Sequence, residues 1–183
     1  MPSNSHITGK DTLLTVREMV VFAMLGTLML CSKLIMEFLP NVHLLGALTM
    51  TYTVVFRRKA LIPIYLYVLL NGLIAGFSAW WLPYLYIWTV LWGVTMLLPR
   101  SMSRRVACIV YPAVCCLHGL AFGILYAPVQ ALIFGLNLEQ MLAWIAVGLP
   151  WDVVHGLGNL VAGVLIVPLS GLLGKLMKRA YAT

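Results

Sequence analysis

Three polar side chains lie close together in an otherwise apolar segment near the end of the chain. Asp152, His155 and Asn159 are three and four residues apart, which places them on one face of a helix. The aspartate can accept a hydrogen bond from His155 and fix its tautomer, and Asn159 supplies donors and acceptors. Ionisable groups are costly inside a membrane, so this face either binds a ligand or joins neighbouring helices. The residues alone do not decide between ligand binding and contact with neighbouring helices.

Further polar residues precede this face. Lys33 and Glu37 are one helical turn apart and either neutralise each other or pair elsewhere, with Lys33 then facing Asp152. We predict that the polar residues Asn41 and His43 lie at the mouth of the second helix and contact a ligand. His118 lies in the middle of an apolar run, where a buried core role is more typical of a single histidine.

Aromatic residues concentrate where the third and fourth helices meet. Trp and Tyr favour the membrane interface, which accounts for Trp80 and Trp81. The spacing of Tyr84, Tyr86 and Trp88 turns some of these rings inward. Aromatic walls with a few polar groups are typical of a small-molecule pocket, so these three residues join the predicted site.

The elements that carry these residues follow from composition and charge. Hydrophobic residues make up 62% of the 183 residues and charged residues 9%, with a mean hydropathy of +0.99. A soluble domain carries about 25% charged residues, so the chain is predicted to be an integral membrane protein. The net charge of +7 is interpreted as anchoring to anionic lipid rather than binding to nucleic acid.

The positions of the cations predict the topology. All lysines and arginines except Lys33 fall into four clusters, and each interval between clusters has room for two crossings. The excess of Lys and Arg marks the cytoplasmic side, which places both termini there. The clusters are Lys10 and Arg17; Arg57, Arg58 and Lys59; Arg100, Arg104 and Arg105; and Lys175, Lys178 and Arg179.

The predicted fold is therefore an all-α integral membrane protein, a six-transmembrane-helix bundle. Residues 1–16 form a cytoplasmic N-terminal segment and residues 17–183 a single membrane domain. The stretch 128–148 is apolar but carries Gln130, Asn137, Glu139 and Gln140, and it is predicted to be an outer loop with one or two short helices. The alternative is five spans with a re-entrant segment there. The six predicted helices are 17–38, 42–56, 60–79, 84–98, 106–127 (with a kink at Pro112) and 151–176.

Several classes of activity lack their motifs. The chain has no nucleotide-binding loop, no Gly-x-Ser-x-Gly and no His-Glu-x-x-His, and the four cysteines lack zinc-type spacing. We therefore predict that it is not an enzyme and binds no cofactor or metal. Two alternatives remain: a structural membrane protein without a ligand, and an intramembrane metalloenzyme that uses His118, His155 and Asp152.

The motif Asp152-x-x-His155-x-x-x-Asn159, followed by small residues and Pro168-Leu169, resembles the last helix of S components of energy-coupling factor (ECF) transporters. The segment Leu39-Pro40-Asn41-Val42-His43 is similar to the first loop of several such proteins. The length, the six predicted spans and the missing ATPase motifs agree with this resemblance.

The resemblance implies a function and partners. An S component binds a vitamin outside a bacterial cell and docks on a membrane scaffold subunit, which is coupled to two ATPase subunits. The family meets the scaffold through Ala-x-x-x-Ala on helix 1. The matching stretch here runs from Ala23 to Thr27, with Thr in place of the second Ala. The family's pockets lie in the outer half, at positions that match Tyr84, Tyr86, Trp88, Asp152, His155 and Asn159. The implied location is the bacterial cell membrane.

The substrate is the least determined feature. Aromatic and amide-rich candidates with few cations disfavour a strongly anionic ligand. The best candidate is cobalamin or another corrinoid, because the short second helix and the long segment before the last helix leave a wide mouth. Alternatives are a queuosine precursor, pyridoxine, pantothenate or a thiamine precursor.

Overall fold

A computed structural model describes residues 14–182, so most of the predicted N-terminal segment, including Lys10, lies outside the described residues. Two short 3-10 helices, Arg57–Ala60 and Ala79–Trp81, form turns, and no strand occurs within residues 14–182. This described part of the chain contains eight α-helices: α1 (Val16–Ile35), α2 (Leu45–Phe56), α3 (Leu61–Ala75), α4 (Tyr84–Leu97), α5 (Arg104–Leu120), α6 (Phe122–Phe134), α7 (Leu138–Gly163) and α8 (Ile166–Ala182).

The predicted all-helical, membrane-compatible architecture is confirmed. Four helical stretches of the described chain are long and apolar enough to cross a membrane: 16–35, 45–75, 104–134 and 138–163. A span of the hydrocarbon core needs about 20 apolar residues. The 26 residues of α7 exceed that length, whereas the 12 of α2 fall short of it.

Helix α1 starts at a capping box and packs along α3. The Thr15 hydroxyl accepts a hydrogen bond from the Glu18 amide, and the Glu18 carboxylate accepts one from the Thr15 amide. Lys59, in the turn before α3, forms an ion pair of 2.6 Å with Glu18. Gly26 then lets α1 approach α3 closely, since a Cβ there would lie 3.0 Å from the Pro63 carbonyl oxygen. The two helices therefore run side by side from the same end.

Helix α2 forms the centre of the bundle, and its residues from Leu45 to Thr53 are all buried. It contains no charged residue, and two threonine hydroxyls donate to the backbone one turn earlier. Thr51 donates to Ala47 and Thr53 to Thr49, each over 2.7 Å. These bonds satisfy polar groups that would otherwise be costly to bury. The short helix is thus covered by its neighbours on every side.

The chain reverses between α2 and α3 at Arg57, whose backbone has a positive φ of 54°. Arg57 donates to the Met96 carbonyl at the end of α4 over 2.9 Å, and Trp92 donates to the Arg57 carbonyl over 3.0 Å. The start of α1, the α2–α3 turn and the end of α4 therefore meet at one end of the bundle. This is the arrangement that the spacing of the basic clusters predicts.

The prediction of an outer loop over 128–148 is wrong. Helix α6 continues to Phe134 and stops at Gly135, which adopts a left-handed conformation with φ 64°. Asn137 and Gln140 then form a capping box that begins α7. Of the polar residues that suggested a loop, Asn137, Glu139 and Gln140 lie at the start of α7, where the capping side chains satisfy free backbone amides, and Gln130 lies inside α6. Only residues 135–137 form the connection.

The fifth and sixth predicted helices also have different boundaries. The predicted helix 106–127 is divided at Ala121 into α5 and α6, with Pro112 inside α5. The predicted helix 151–176 covers the second half of α7, a turn at Val164 and Leu165, and part of α8. Helix interruptions of this kind depend on contacts between helices rather than on local sequence, because packed neighbours can satisfy freed backbone groups.

Candidate functional site

The candidate site is built around the buried indole of Trp88 on α4. Its side chain is 1% exposed. Aromatic rings from four other segments and from α4 itself surround it at centroid distances of 5.8 to 6.3 Å. They belong to His43 before α2, Tyr67 on α3, His118 on α5 and Phe122 on α6, with Tyr84 from α4 itself. We call these residues together with His155 the aromatic cluster.

His155 joins the cluster from α7. Its ring centroid lies 4.8 Å from that of His43 and 4.7 Å from that of Phe122, both in edge-on geometry. The residue is 2% exposed. Two separate elements, the α1–α2 connection and α7, therefore bring two imidazoles into contact, a juxtaposition that sequence spacing does not reveal.

Several polar atoms of this region are buried without a hydrogen-bond partner. Buried polar groups normally have a partner, so such a concentration indicates a place where water or a ligand completes the site. His118 does bind the Ile87 carbonyl through Nε2, at 3.2 Å. The unpartnered atoms include Nδ1 of His43, Nδ1 of His118, Nε2 of His155, Nε1 of Trp88, the Tyr67 hydroxyl and Nδ2 of Asn71.

A cavity of about 180 Å³ adjoins the aromatic cluster. We call it the polar cavity. It lies between the end of α1 and the helices α4, α6 and α7, at the end of the bundle opposite the Arg57 turn. Its lining residues are Lys33, Met36, Glu37, Leu39, Pro40, Asn41, Val42, His43, Tyr84, Phe122 and His155.

The charged residues at the rim of the polar cavity neutralise each other. Lys33 and Glu37 lie 3.6 Å apart on successive turns of the chain. The Lys33 side chain is 22% exposed and that of Glu37 67% exposed. The self-neutralised pair is thus formed, and the alternative pairing of Lys33 with Asp152 is not. The cavity consequently presents amide, imidazole and phenol groups rather than net charge.

Asp152 has a different role from the one its spacing suggested. Its Oδ1 accepts a hydrogen bond of 3.1 Å from the backbone amide of Gly123, in the first turn of α6. It makes no hydrogen bond to His155 and does not line the polar cavity. Ala121, the residue before α6, has no side chain that can cap a helix. Asp152 therefore caps α6 from the neighbouring helix α7.

Asn159 likewise joins helices. Its Nδ2 donates to the Cys115 carbonyl on α5 over 3.3 Å, and the residue is 1% exposed. A Cβ at Gly119 would lie 2.8 Å from the same nitrogen. The polar face of α7 is thus divided: His155 borders the polar cavity, whereas Asp152 and Asn159 hold α7 to α5 and α6.

The three predicted aromatic residues of α4 also differ in what they contact. Tyr84 lines the polar cavity, and Trp88 lies buried within the cluster. Tyr86 points elsewhere, because its hydroxyl donates to the Leu125 carbonyl on α6. Asn41 and His43, which precede α2, both line the polar cavity.

Three members of the aromatic cluster, Tyr67, His118 and Phe122, were not among the predicted site residues. His118 is buried in the core, as expected for a single histidine, but it faces Trp88. Phe122 contacts Trp88, His118 and His155 at once. In the predicted helix 106–127 the spacing of four residues puts His118 and Phe122 on one face, which is the signal that could have found these two.

The structure gives no support to a metal centre. Within residues 14–182 no group of three His, Cys, Asp or Glu side chains is arranged to hold a metal ion. The set His118, His155 and Asp152 does not converge, since Asp152 binds the Gly123 amide. The four cysteines are free thiols.

The predicted docking residues lie on a free face of α1. Ala23 and Thr27 are both exposed, and the Thr27 hydroxyl donates to the Ala23 carbonyl over 2.9 Å. Their neighbours Val20 and Met24 are 55% and 67% exposed. Ala23 and Thr27 are small and their neighbours are apolar, a composition that favours contact between membrane helices.

No family model, curated protein or solved structure matches this chain. Function is therefore argued from the geometry of the site.

Proposed function

We propose that the chain is the substrate-binding S component of an ECF-type importer, which captures a vitamin-like small molecule in the polar cavity. The observation that carries this proposal is the group of unpartnered buried polar atoms at one end of an apolar bundle. A bundle that only had to pack would be expected to satisfy those groups or replace them with apolar ones. Energy for import would come from a scaffold subunit and two ATPase subunits.

The arrangement of the helices supports a six-pass topology for this function. The six passes would be α1, α2, α3, α4, α5 with α6, and α7 with α8. The Arg57 turn and the start of α1 lie at one end, and the polar cavity lies at the other. Because Lys and Arg concentrate on the cytoplasmic side, the cavity would open outward and both termini would lie inside.

The substrate that we propose is a compound with a small neutral ring. Sites for drug-sized ligands occupy about 300 to 1,000 Å³, and the polar cavity measures about 180 Å³. Tyr84 and Phe122 offer ring faces, and Asn41, His43 and His155 offer hydrogen bonds. Among the candidate vitamins this favours pyridoxine or a deazapurine or pyrimidine precursor over a corrinoid, which would require a much larger cavity.

The test is retention of a small molecule by the purified chain in detergent, without ATP, measured by mass spectrometry. We expect His155→Ala to reduce the retained amount at least tenfold, because His155 borders the cavity. Tyr86→Phe is the matched control, since Tyr86 faces Leu125 and its change should leave retention as it is. Equal retention by the wild type and His155→Ala would contradict the proposal and favour a structural role.

A further inference from the structure

A small pocket lies at the Arg57 end of the bundle, between the ends of α2 and α4 and the side of α5. We call it the arginine pocket. It measures about 150 Å³, which is enough for several water molecules or one phosphate group. It shares no lining residue with the polar cavity at the other end. Arg57, Thr95, Arg100 and Tyr111 supply its polar groups, and Val54 and Leu98 form an apolar wall.

Arg57 is held in place but only partly satisfied. Its Nη2 donates to the Met96 carbonyl over 2.9 Å, and its own carbonyl accepts from Trp92 over 3.0 Å. Its Nε is buried without a hydrogen-bond partner. A guanidinium carries five N–H donors, and a charged donor that is buried without an acceptor is costly. The bond to Met96 therefore leaves part of this guanidinium available to a ligand.

No carboxylate of the described chain neutralises the arginine pocket. Neither Arg57 nor Arg100 forms an ion pair within residues 14–182, and no acidic side chain lines the pocket. The nearby Lys59 is already paired with Glu18 at 2.6 Å. The pocket consequently presents two guanidinium groups without a counter-charge from residues 14–182.

Tyr111 adds a neutral donor to these cations. The residue is 9% exposed on α5, and its hydroxyl makes no hydrogen bond to another residue of the described chain. The Thr95 hydroxyl, in contrast, donates to the Leu91 carbonyl over 2.7 Å. The free donors of the pocket thus belong to two arginines and one tyrosine, a set that suits an anion with several oxygen atoms.

We propose that the arginine pocket binds the phosphate group of an anionic membrane lipid. Guanidinium groups match phosphate oxygens through paired hydrogen bonds. Basic pockets between membrane helices recognise lipid headgroups in this way. Leu97, next to Leu98 of the pocket wall, is 86% exposed, so an apolar surface for acyl chains begins beside the pocket. The inference goes beyond the proposed function and does not depend on transport.

Two simpler roles of these arginines leave the pocket unexplained. Capping of α4 uses only Nη2 of Arg57 and has no place for Arg100. A general excess of cations at the cytoplasmic side requires exposed charges such as Arg58, not a guanidinium with a buried nitrogen next to a buried tyrosine. A bound phosphate group accounts for all three donors together.

The test compares dimyristoylphosphatidylglycerol with dimyristoylphosphatidylcholine, which share their acyl chains and differ in net charge. Native mass spectrometry of the purified chain counts the bound lipid. We expect a preference of about tenfold or more for the glycerol lipid, since each arginine near an anionic headgroup contributes about a factor of five. Arg57→Gln and Arg100→Gln should each lower that preference about fivefold. Arg58→Gln is the matched control, because Arg58 is exposed beside Arg57 but does not line the pocket.

Arg100→Gln keeps the test decisive even where Arg57→Gln fails to fold. Arg100 is exposed and makes no hydrogen bond or ion pair within residues 14–182, so its replacement leaves the bundle intact. Equal binding of the two lipids, a preference that persists in Arg100→Gln, or an equal loss in Arg58→Gln would overturn the lipid site.

Inorganic phosphate is the third probe and separates the two sources of the same chemical group. We expect it to leave the thermal stability of the purified chain unchanged, because a free phosphate ion lacks the acyl chains. Stabilisation by phosphate that is lost in Arg100→Gln, together with equal binding of the two lipids, would identify a free phosphate ligand and overturn the lipid assignment.

Discussion

At the residue scale, polar side chains on one helical face have unlike roles. His155 borders a cavity with an unpartnered nitrogen, whereas Asp152 caps α6 and Asn159 binds the α5 backbone. Their shared spacing suggested a single site. The difference arises because each residue faces another part of α5, α6 or the α1–α2 connection. A polar face in a membrane bundle can thus serve both recognition and cohesion.

The cap formed by Asp152 leads to a stability prediction. Asp152→Ala removes the acceptor for the Gly123 amide and should lower the free energy of unfolding by about 1 kcal/mol, the usual cost of a lost helix cap. Asp152→Asn keeps an oxygen acceptor and removes a charge whose second oxygen is buried without a partner. It should be at least as stable as the wild type. Thermal unfolding in detergent distinguishes the two, and equal stability of all three proteins would refute the capping role.

At the scale of elements, the bundle depends on the close crossing of α5 and α7. Gly119 on α5 faces Gly156 on α7, and a Cβ at Gly119 would lie 2.9 Å from the Gly156 Cα. Near the other end, a Cβ at Gly163 would lie 2.6 Å from the Cα of Pro112. The backbones therefore touch where a side chain would separate them. In lipid such packing drives helix association.

This crossing predicts unequal effects of the same substitution. Gly119→Ala should destabilise the protein by about 1 to 3 kcal/mol, because an added methyl has no room and the backbones must move. Gly93→Ala on α4 is the control, since nothing lies within 4 Å of the added carbon. It should stabilise by about 0.5 to 1 kcal/mol through helix propensity. Thermal unfolding of both variants in one detergent checks this, and similar shifts would mean that the crossing is not tight.

At the scale of the whole molecule, the basic turn and the polar cavity lie at opposite ends of the bundle. The basic turn around Arg57 meets the end of α4, and the polar cavity lies at the far end beside Glu37 and Asn41. If the first end is cytoplasmic, the polar cavity opens on the outer side, as the proposed function requires. The free face of α1 then remains available for a scaffold subunit within the membrane.

Labelling can test this orientation. In a chain whose four native cysteines are replaced by serine, Glu139→Cys should react with an impermeant maleimide in intact cells. Ser101→Cys should react only after the membrane is permeabilised. Both positions are exposed, Glu139 in the first turn of α7 and Ser101 in the α4–α5 connection. The reverse labelling pattern would show the opposite orientation in the membrane, with the polar cavity on the cytoplasmic side.

The docking face gives a second prediction at this scale. Ala23→Trp should abolish uptake in cells that contain the other subunits, because a large ring prevents close approach of a scaffold helix. Ligand retention by the purified variant should be unchanged, since Ala23 lies on the outer surface of α1, away from the polar cavity. Leu132→Trp on α6, where Leu132 is 84% exposed, is the control. Normal uptake by Ala23→Trp would show that this face of α1 does not contact the scaffold subunit.

The sequence by itself determined the class of the protein, most of its helices and the grouping of its basic turns. These depend on local properties: runs of apolar residues long enough for helices, proline and glycine at turns, and cations kept out of the hydrocarbon core. Asn41, His43 and Tyr84 each lie at a helix end, and the structure brings all three to the polar cavity. The 128–148 stretch was predicted wrongly, because the polar residues of a helix cap resemble those of a loop.

Only the tertiary structure decided which polar residues meet. The contact of His43 with His155 joins positions 112 residues apart, and the cap of α6 by Asp152 crosses from one helix to another. Side-chain spacing determines which residues share a helical face, but helix packing decides what that face contacts. Packing energies are summed over the whole bundle, so no single position encodes them.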